Sequence, residues 1–382
     1  MRKGRNMKLK IVNARVYCDG KFENKDVFVN NGKIIFEGSD DCEVIDAQGK
    51  MLIPGFIDIH IHGAVGHDFN DGTAEAIDAI TAFTAKHGTT SLLATTSTVS
   101  AEQIYNTAKA VDEKMKTGTA GSEVLGLHME GPFFNKNALG AQNPEFVQKP
   151  SMENLNDMLK EYFEVLKLIA VAPECDGALE FIEKMTNKGV RTAVGHTAAD
   201  YDTVVAAIEA GADMMTHFYN AMTPLNHRNP GVVGAVFDEK YVEIQLICDL
   251  IHIHPAAIRV AVSNVGKNNV IMISDAISGT GLGDGEYDLG GLAIFVKNGV
   301  ARIKEGNLAG STLILDTAMK NMVSIGFTIS DVIKFLSENP ARALGVDDRK
   351  GFIKDGFDAD FIIMDDSFNV CKTFVKGKCV YE

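Results

Sequence analysis

Along the first fifty residues, short apolar runs are broken by turn-forming residues, and no stretch has a helical period. Runs at 10–17, 26–30, 33–37 and 42–46 read as strands, and Asn30-Asn31-Gly32 is a hairpin-turn signal. From residue 51 the pattern changes. Apolar runs at 52–62, 89–96, 124–130, 166–172, 191–196, 214–220, 243–249 and 269–275 now alternate with segments of helical period. Those segments span 73–87, 101–116, 151–162, 177–188, 201–210 and 255–265. Eight such runs with helices between them predict a (β/α)8 barrel. A doubly wound sheet is the rival, but no dinucleotide fingerprint supports it.

The glycine-rich stretch from Ser278 to Gly310 carries strand-like pieces at 292–297 and 300–304. It is too long for a plain loop, so it reads as a β excursion and a candidate lid. Helices are predicted at 312–325 and 330–336, with Asn339-Pro340 ending the second. The tail returns to β character at 361–364 and 372–380, with a tight turn at Val375-Lys376-Gly377-Lys378. The expected fold class is α/β. A TIM-like barrel (54–356) stands beside a small β-sandwich domain built from both chain ends (1–53 and 357–382).

Composition narrows this picture without changing it. The 382 residues suffice for one barrel and a smaller unit. No apolar run reaches the roughly 18–20 residues that span a bilayer, so no membrane partner is expected. A net charge of −14 with no basic patch argues against nucleic acid. The six cysteines show no paired spacing and read as reduced thiols. A basic start (1–10) is followed by no apolar signal region, so a cytoplasmic location is expected, with Met1 or Met7 as the native start.

The candidate chemistry gathers at the C-terminal ends of the predicted strands, the face that carries barrel active sites. His60 and His62 end the first strand, Glu130 the third, His196 the fifth, His217 the sixth and Asp275 the eighth. Residues two apart on a strand point to one side, so His60 and His62 can share an ion. Taken singly, His196 and His217 are as readily core histidines as ligands, and Asp275 as readily a turn residue. Together they form a convergent imidazole and carboxylate set of the kind that replaces a metal's water shell. An aspartate in that setting can take a proton from a water activated by the metal and return it to a leaving amine.

With those residues placed, the chain resembles the amidohydrolase superfamily, and within it the branch that deacetylates amino-sugar phosphates. The resemblance rests on Pro54-Gly55-Phe56-Ile57-Asp58-Ile59-His60-Ile61-His62-Gly63, Leu127-His128-Met129-Glu130-Gly131-Pro132-Phe133, Gly195-His196-Thr197, His217-Phe218-Tyr219-Asn220-Ala221-Met222 and Ser274-Asp275-Ala276. It continues through Leu308-Ala309-Gly310-Ser311 and the closing glycine and aspartate pattern from Gly351 to Asp360. It implies hydrolysis of N-acetyl-D-glucosamine 6-phosphate to acetate and D-glucosamine 6-phosphate. Glu130, His196 and His217 would hold the principal divalent metal, with Asp275 as general base and then acid.

By the same resemblance Asn220 and Ala221 contact substrate, and His252 and Arg228 bind the sugar phosphate. Arg228 would come from the neighbouring subunit of a homodimer. Leu308 and Ala309, at the end of the excursion, are read as further substrate contacts. His60 and His62 allow a second ion, bridged by Glu130. Zn or Fe is the expected metal, with Co, Ni and Mn as alternatives. Where some members have a histidine after the Glu-Gly-Pro loop, this chain has Gln142, whose amide could still donate to the acetyl carbonyl. His67, His227 and His254 receive no role, and His87 and His128 are read as structural. The rival readings are the galactosamine epimer of the same reaction, another amidohydrolase such as a dihydroorotase or adenine deaminase, and a non-catalytic protein on the same scaffold.

Overall fold

A computed structural model describes residues 8–38, 41–239 and 241–382. The choice between Met1 and Met7 as the start lies outside them. The predicted barrel is present as one eight-stranded parallel sheet. Its strands are Phe56–Ile61, Thr89–Thr96, Glu123–Glu130, Leu166–Val171, Arg191–Val194, Met214–Met215, Glu243–Ile247 and Val270–Ile273, each hydrogen-bonded to the next. Nearly every residue on them is buried, as expected when helices cover the outside and side chains fill the inside. The first and eighth strands meet through backbone hydrogen bonds just past the eighth strand. Asp275 N donates to His60 O (2.9 Å), while His62 N and Gly63 N donate to Ala276 O (2.9 and 3.0 Å).

The helices start where capping chemistry allows. Thr73 and Asp200 cap theirs, Ser100 and Gln103 form a capping box, and His254 caps the helix that Pro255 opens. One helix, Gly231–Asp238, is not anticipated from the sequence, because its glycines and valines lack a polar face. Another extends past its expected stop. Asn339–Ala343 is helical and follows a π-helical turn at Lys334–Glu338. Pro340 sits in the first turn of that last segment, directly after the π-helical turn.

Two predicted strands each divide in two. The run at 10–17 becomes Lys8–Val12 and Arg15–Cys18 in different sheets, because Asn13 between them adopts φ 55°. The run at 52–62 becomes Met51–Pro54 and Phe56–Ile61, joined at Gly55. A Cβ on Gly55 would lie 2.1 Å from Thr90 Oγ1, so only glycine lets the chain cross from the small domain into the barrel.

The small domain packs two sheets face to face. Both chain ends contribute to the six-stranded one: Phe361–Met364 pairs antiparallel with Met51–Pro54, and Val370–Val375 turns back into Lys378–Tyr381. The other sheet places Lys8–Val12 between Val27–Asn30 and Glu43–Asp46. Ile11, Val16, Val27, Ile34, Phe361 and Phe374 fill the space between.

A buried ion network links this domain to the foot of the barrel. Lys350, 1% exposed, meets Glu123 (2.7 Å), Asp358 (3.4 Å) and Asp360. Arg349 and Lys33 add further pairs to Asp358 (2.9 and 2.8 Å). These cations fill the acidic cluster of Glu123, Asp358 and Asp360, so that cluster is a salt-bridge network and not an ion site.

The glycine-rich excursion forms a three-stranded antiparallel sheet: Gly285–Leu289, Leu292–Lys297 and Val300–Ile303. Its apolar side packs on Ala141, Ile277 and Ala309, so it stands over the C-terminal face of the barrel. Among the described residues no helix is long and apolar enough to cross a membrane.

Candidate active site

At that face the strand ends converge as the sequence predicts. Two groups that could each hold a metal ion share one centre: His60, His62 and Asp275, and Glu130, His196 and His217, all buried. Glu130 lies between them. Its Oε1 is 3.2 Å from His196 Nε2, 2.9 Å from His217 Nε2 and 3.4 Å from His60 Nε2, and its Oε2 is 3.2 Å from His62 Nε2. Asp275 Oδ1 lies 3.5 Å from His60 Nε2 and 3.3 Å from His62 Nε2.

The donor set fits divalent metal. His60 Nδ1 faces Gln245 Oε1 (2.9 Å) and His196 Nδ1 faces the carbonyl of Ala138 (3.2 Å), so both rings place their protons on Nδ1. Their Nε2 lone pairs then point at carboxylate oxygens and at one another's partners: His60 Nε2 is 3.3 Å from His62 Nε2, and His196 Nε2 is 3.1 Å from His217 Nε2. Lone pairs packed this closely repel unless positive charge sits between them. Ligand atoms about 2.0–2.1 Å from a tetrahedral metal are themselves roughly 3.3 Å apart, which is the spacing seen.

The electrostatics carry the same demand for positive charge. Burial works to raise the Glu130 and Asp275 carboxyls, but the surrounding imidazoles outweigh it and hold both below the usual carboxylate range. Burial works to lower His62 and His217, but the carboxylates outweigh it and hold both above the usual imidazole value. His128, stacked edge-on against His60 at 4.7 Å, is held well below that value, chiefly by burial.

The centre opens into a cleft of about 340 Å³. Gln142, Asn220, Ala221, His252 and Leu308 line it, with His62, Glu130, His196, His217 and Asp275 at its floor. His60 lies one layer behind, with no exposed surface. Asp249 accepts from His252 Nδ1 (2.6 Å), which leaves the other ring nitrogen free for a ligand.

Two predicted contacts, Ala309 and Gln142, sit differently from expectation, and Arg228, expected from a neighbouring subunit, lies away from the cleft of its own chain. Ala309 does not line the cleft: it is fully buried, and its N–H donates to Ala301 O (3.1 Å), so it belongs to the core of the excursion. Arg228 lies in an outer depression with Asp200, Tyr201 and Asp238, its guanidinium 2.9 Å from His227 Nε2. Gln142 lines the cleft, but its amide nitrogen donates to Glu130 Oε2 (2.6 Å) and its oxygen accepts from Thr98 N (2.7 Å).

Asn307, Ile247 and Leu289 also line the cleft and were not singled out by the sequence motifs. Ile247 ends the seventh strand, a position the barrel rule itself marks. Asn307 immediately precedes the Leu308-Ala309-Gly310-Ser311 block.

A barrel with this ligand set defines a metal-dependent hydrolase of amide-type bonds. The chain belongs to the amidohydrolase family, whose pattern matches residues 51–380. Within that class it is 36% identical over 371 residues to an N-acetylglucosamine-6-phosphate deacetylase of Lysinibacillus sphaericus, covering 95% of each chain. It is also 36% identical over 336 residues to an N-acetylgalactosamine-6-phosphate deacetylase of Escherichia coli O157:H7, covering 88% of this chain and 89% of that one. Among solved structures it resembles a mutant N-acetyl-D-glucosamine-6-phosphate deacetylase of Mycobacterium smegmatis in complex with N-acetyl-D-glucosamine-6-phosphate. The TM-score there is 0.90 at 30% identity, over 99% of this chain and 100% of that one.

Proposed function

We propose that the protein hydrolyses N-acetyl-D-glucosamine 6-phosphate to acetate and D-glucosamine 6-phosphate. One observation carries the reaction class. Asp275, held ionised, opens onto the same cleft as the Glu130, His196 and His217 cluster. The substrate follows from the named relatives. Glu130, His196 and His217 would hold the principal divalent ion, and His60 and His62 a second. When bound, such an ion polarises a carbonyl and brings the pKa of a water it holds to about 7.

The chain's own groups do the rest. Asp275 takes a proton as water adds to the acetamide carbonyl carbon. It delivers that proton to the sugar nitrogen as the C–N bond breaks and acetate departs. Asn220 and the Ala221 backbone seat the amide, and Leu308 and Asn307 flank the sugar. His252, braced by Asp249, meets the phosphate together with Arg228 of a second subunit in a cytoplasmic homodimer. Gln142 acts on Glu130, orienting the carboxylate through its 2.6 Å hydrogen bond. Zn or Fe is the proposed metal, with Co, Ni and Mn as alternatives.

The test is acetate release from both epimeric sugar phosphates by the purified protein. A higher kcat/KM for the gluco epimer is expected. The galacto reading also has a named relative of 36% identity, and it prevails if the ratio inverts. In the same assay, Arg228→Ala should raise KM about tenfold or more for the phosphorylated sugar and leave N-acetylglucosamine unaffected, since a bidentate charge contact contributes only where there is phosphate. Equal changes on both sugars would remove Arg228 from phosphate binding.

A further inference from the structure

The seventh barrel strand, Glu243–Ile247, turns Gln245 into the barrel interior, one layer below Ile247 at the cleft floor. Gln245 has no exposed surface. Barrel interiors are ordinarily filled by branched apolar side chains, and a buried amide is costly unless its hydrogen bonds are made. Its contacts fix which end of the amide is which. Nε2 donates to Met214 Sδ (3.1 Å), and a thioether accepts but cannot donate. Oε1 therefore faces His60 Nδ1 (2.9 Å), with the backbone N–H of His217 a longer second donor at 3.5 Å. An amide oxygen only accepts, so His60 carries its proton on Nδ1. The lone pair on Nε2 is then committed to the space between His62, Glu130 and Asp275. His62 has no such brace: its Nδ1 is buried without a hydrogen-bond partner.

We propose that Gln245 is the positioning residue of the His60 and His62 ion site, fixing the tautomer and ring plane of His60 for a divalent cation. This rests on the reading of His60 as a ligand. Outer groups of this kind typically change metal affinity about 10- to 100-fold.

The experiment titrates Zn²⁺ into metal-depleted full-length protein against a competing chelator and counts equivalents bound. Gln245→Met keeps the length and loses the acceptor, and it should weaken the second equivalent about 10- to 100-fold. Gln245→Glu keeps an acceptor and should restore it. In a His60→Ala background, Gln245→Met should have no further effect. Selective ¹⁵N-histidine NMR of the unsubstituted apoprotein should show His60 protonated on Nδ1, a readout that survives any misfolding of the variants. Unaltered Zn²⁺ binding in Gln245→Met, an equal loss in the His60→Ala background, or an Nε2–H tautomer at His60 would each overturn the proposal. Zn²⁺ binding unaltered by His60→Ala would instead overturn the reading of His60 as a ligand.

Discussion

His196, His217 and Asp275 leave their strands at φ 48°, 28° and 51°, a backbone region that L-residues occupy at a cost of roughly 1–2 kcal/mol each. The strain has a visible return, because it turns three side chains from separate strand ends onto one point. Asparagine tolerates that conformation and matches aspartate in size, so Asp275→Asn isolates the chemistry. Turnover should fall about 10²- to 10⁴-fold while metal content, measured by elemental analysis, stays at the unsubstituted level. A variant within threefold of normal turnover would remove Asp275 from proton transfer. The identities of these residues were legible, since imidazoles and carboxylates that close one apolar run after another mark the catalytic end of a barrel. Their backbone angles were not, because φ answers to tertiary packing. The partner of Gln142 was hidden for the same reason: no local pattern says which carboxylate an amide twelve residues away will meet.

Among the elements, the excursion from Gly285 to Ile303 is the one whose position matters to turnover. Its strand pattern was readable at 292–297 and 300–304, but Gly285–Leu289 was not, because charged and polar residues dominate it. Leu289, Asn307 and Leu308 reach the cleft, while Phe295 on the outer side of the sheet stays exposed. Substrate held between the barrel and this sheet should slow its opening. Hydrogen exchange with a non-hydrolysable substrate analogue should show amides of 285–310 protected at least several-fold, with the barrel strands unchanged. Equal exchange with and without the analogue would count against closure. The split strands at Asn13 and Gly55 carry a related lesson. Periodicity reports a continuous apolar run, but one left-handed residue or one close backbone approach can send its halves into different sheets.

At the scale of the whole molecule, the antiparallel pairing of both chain ends could be anticipated from their shared β character, but the charges that fasten it could not. Burial pushes Glu123 and Asp358 upward, yet the cations around Lys350 outweigh it and hold both below the usual carboxylate range. At Asp360 burial prevails and the carboxyl lies above that range. A depressed carboxylate stabilises the fold above its unfolded pKa of about 4 and loses that contribution as pH falls through the folded value. Asp358→Asn should therefore cost on the order of 2 kcal/mol at pH 7. The gap to the unsubstituted protein should narrow as urea melts are repeated at pH 5, 4 and 3, and a gap independent of pH would show that the network contributes through packing alone.

The seam of the barrel has a consequence of a mechanical kind. The first and eighth strands are clasped through His60 O, His62 N and Asp275 N, on the same residues that face the ion centre. The ring's fastening and the proposed ion site are one object, so a metal held there would also act as a rivet. A metal bound there would add to the closure of the cylinder, so its removal is expected to lower the melting temperature of the protein as well as its activity.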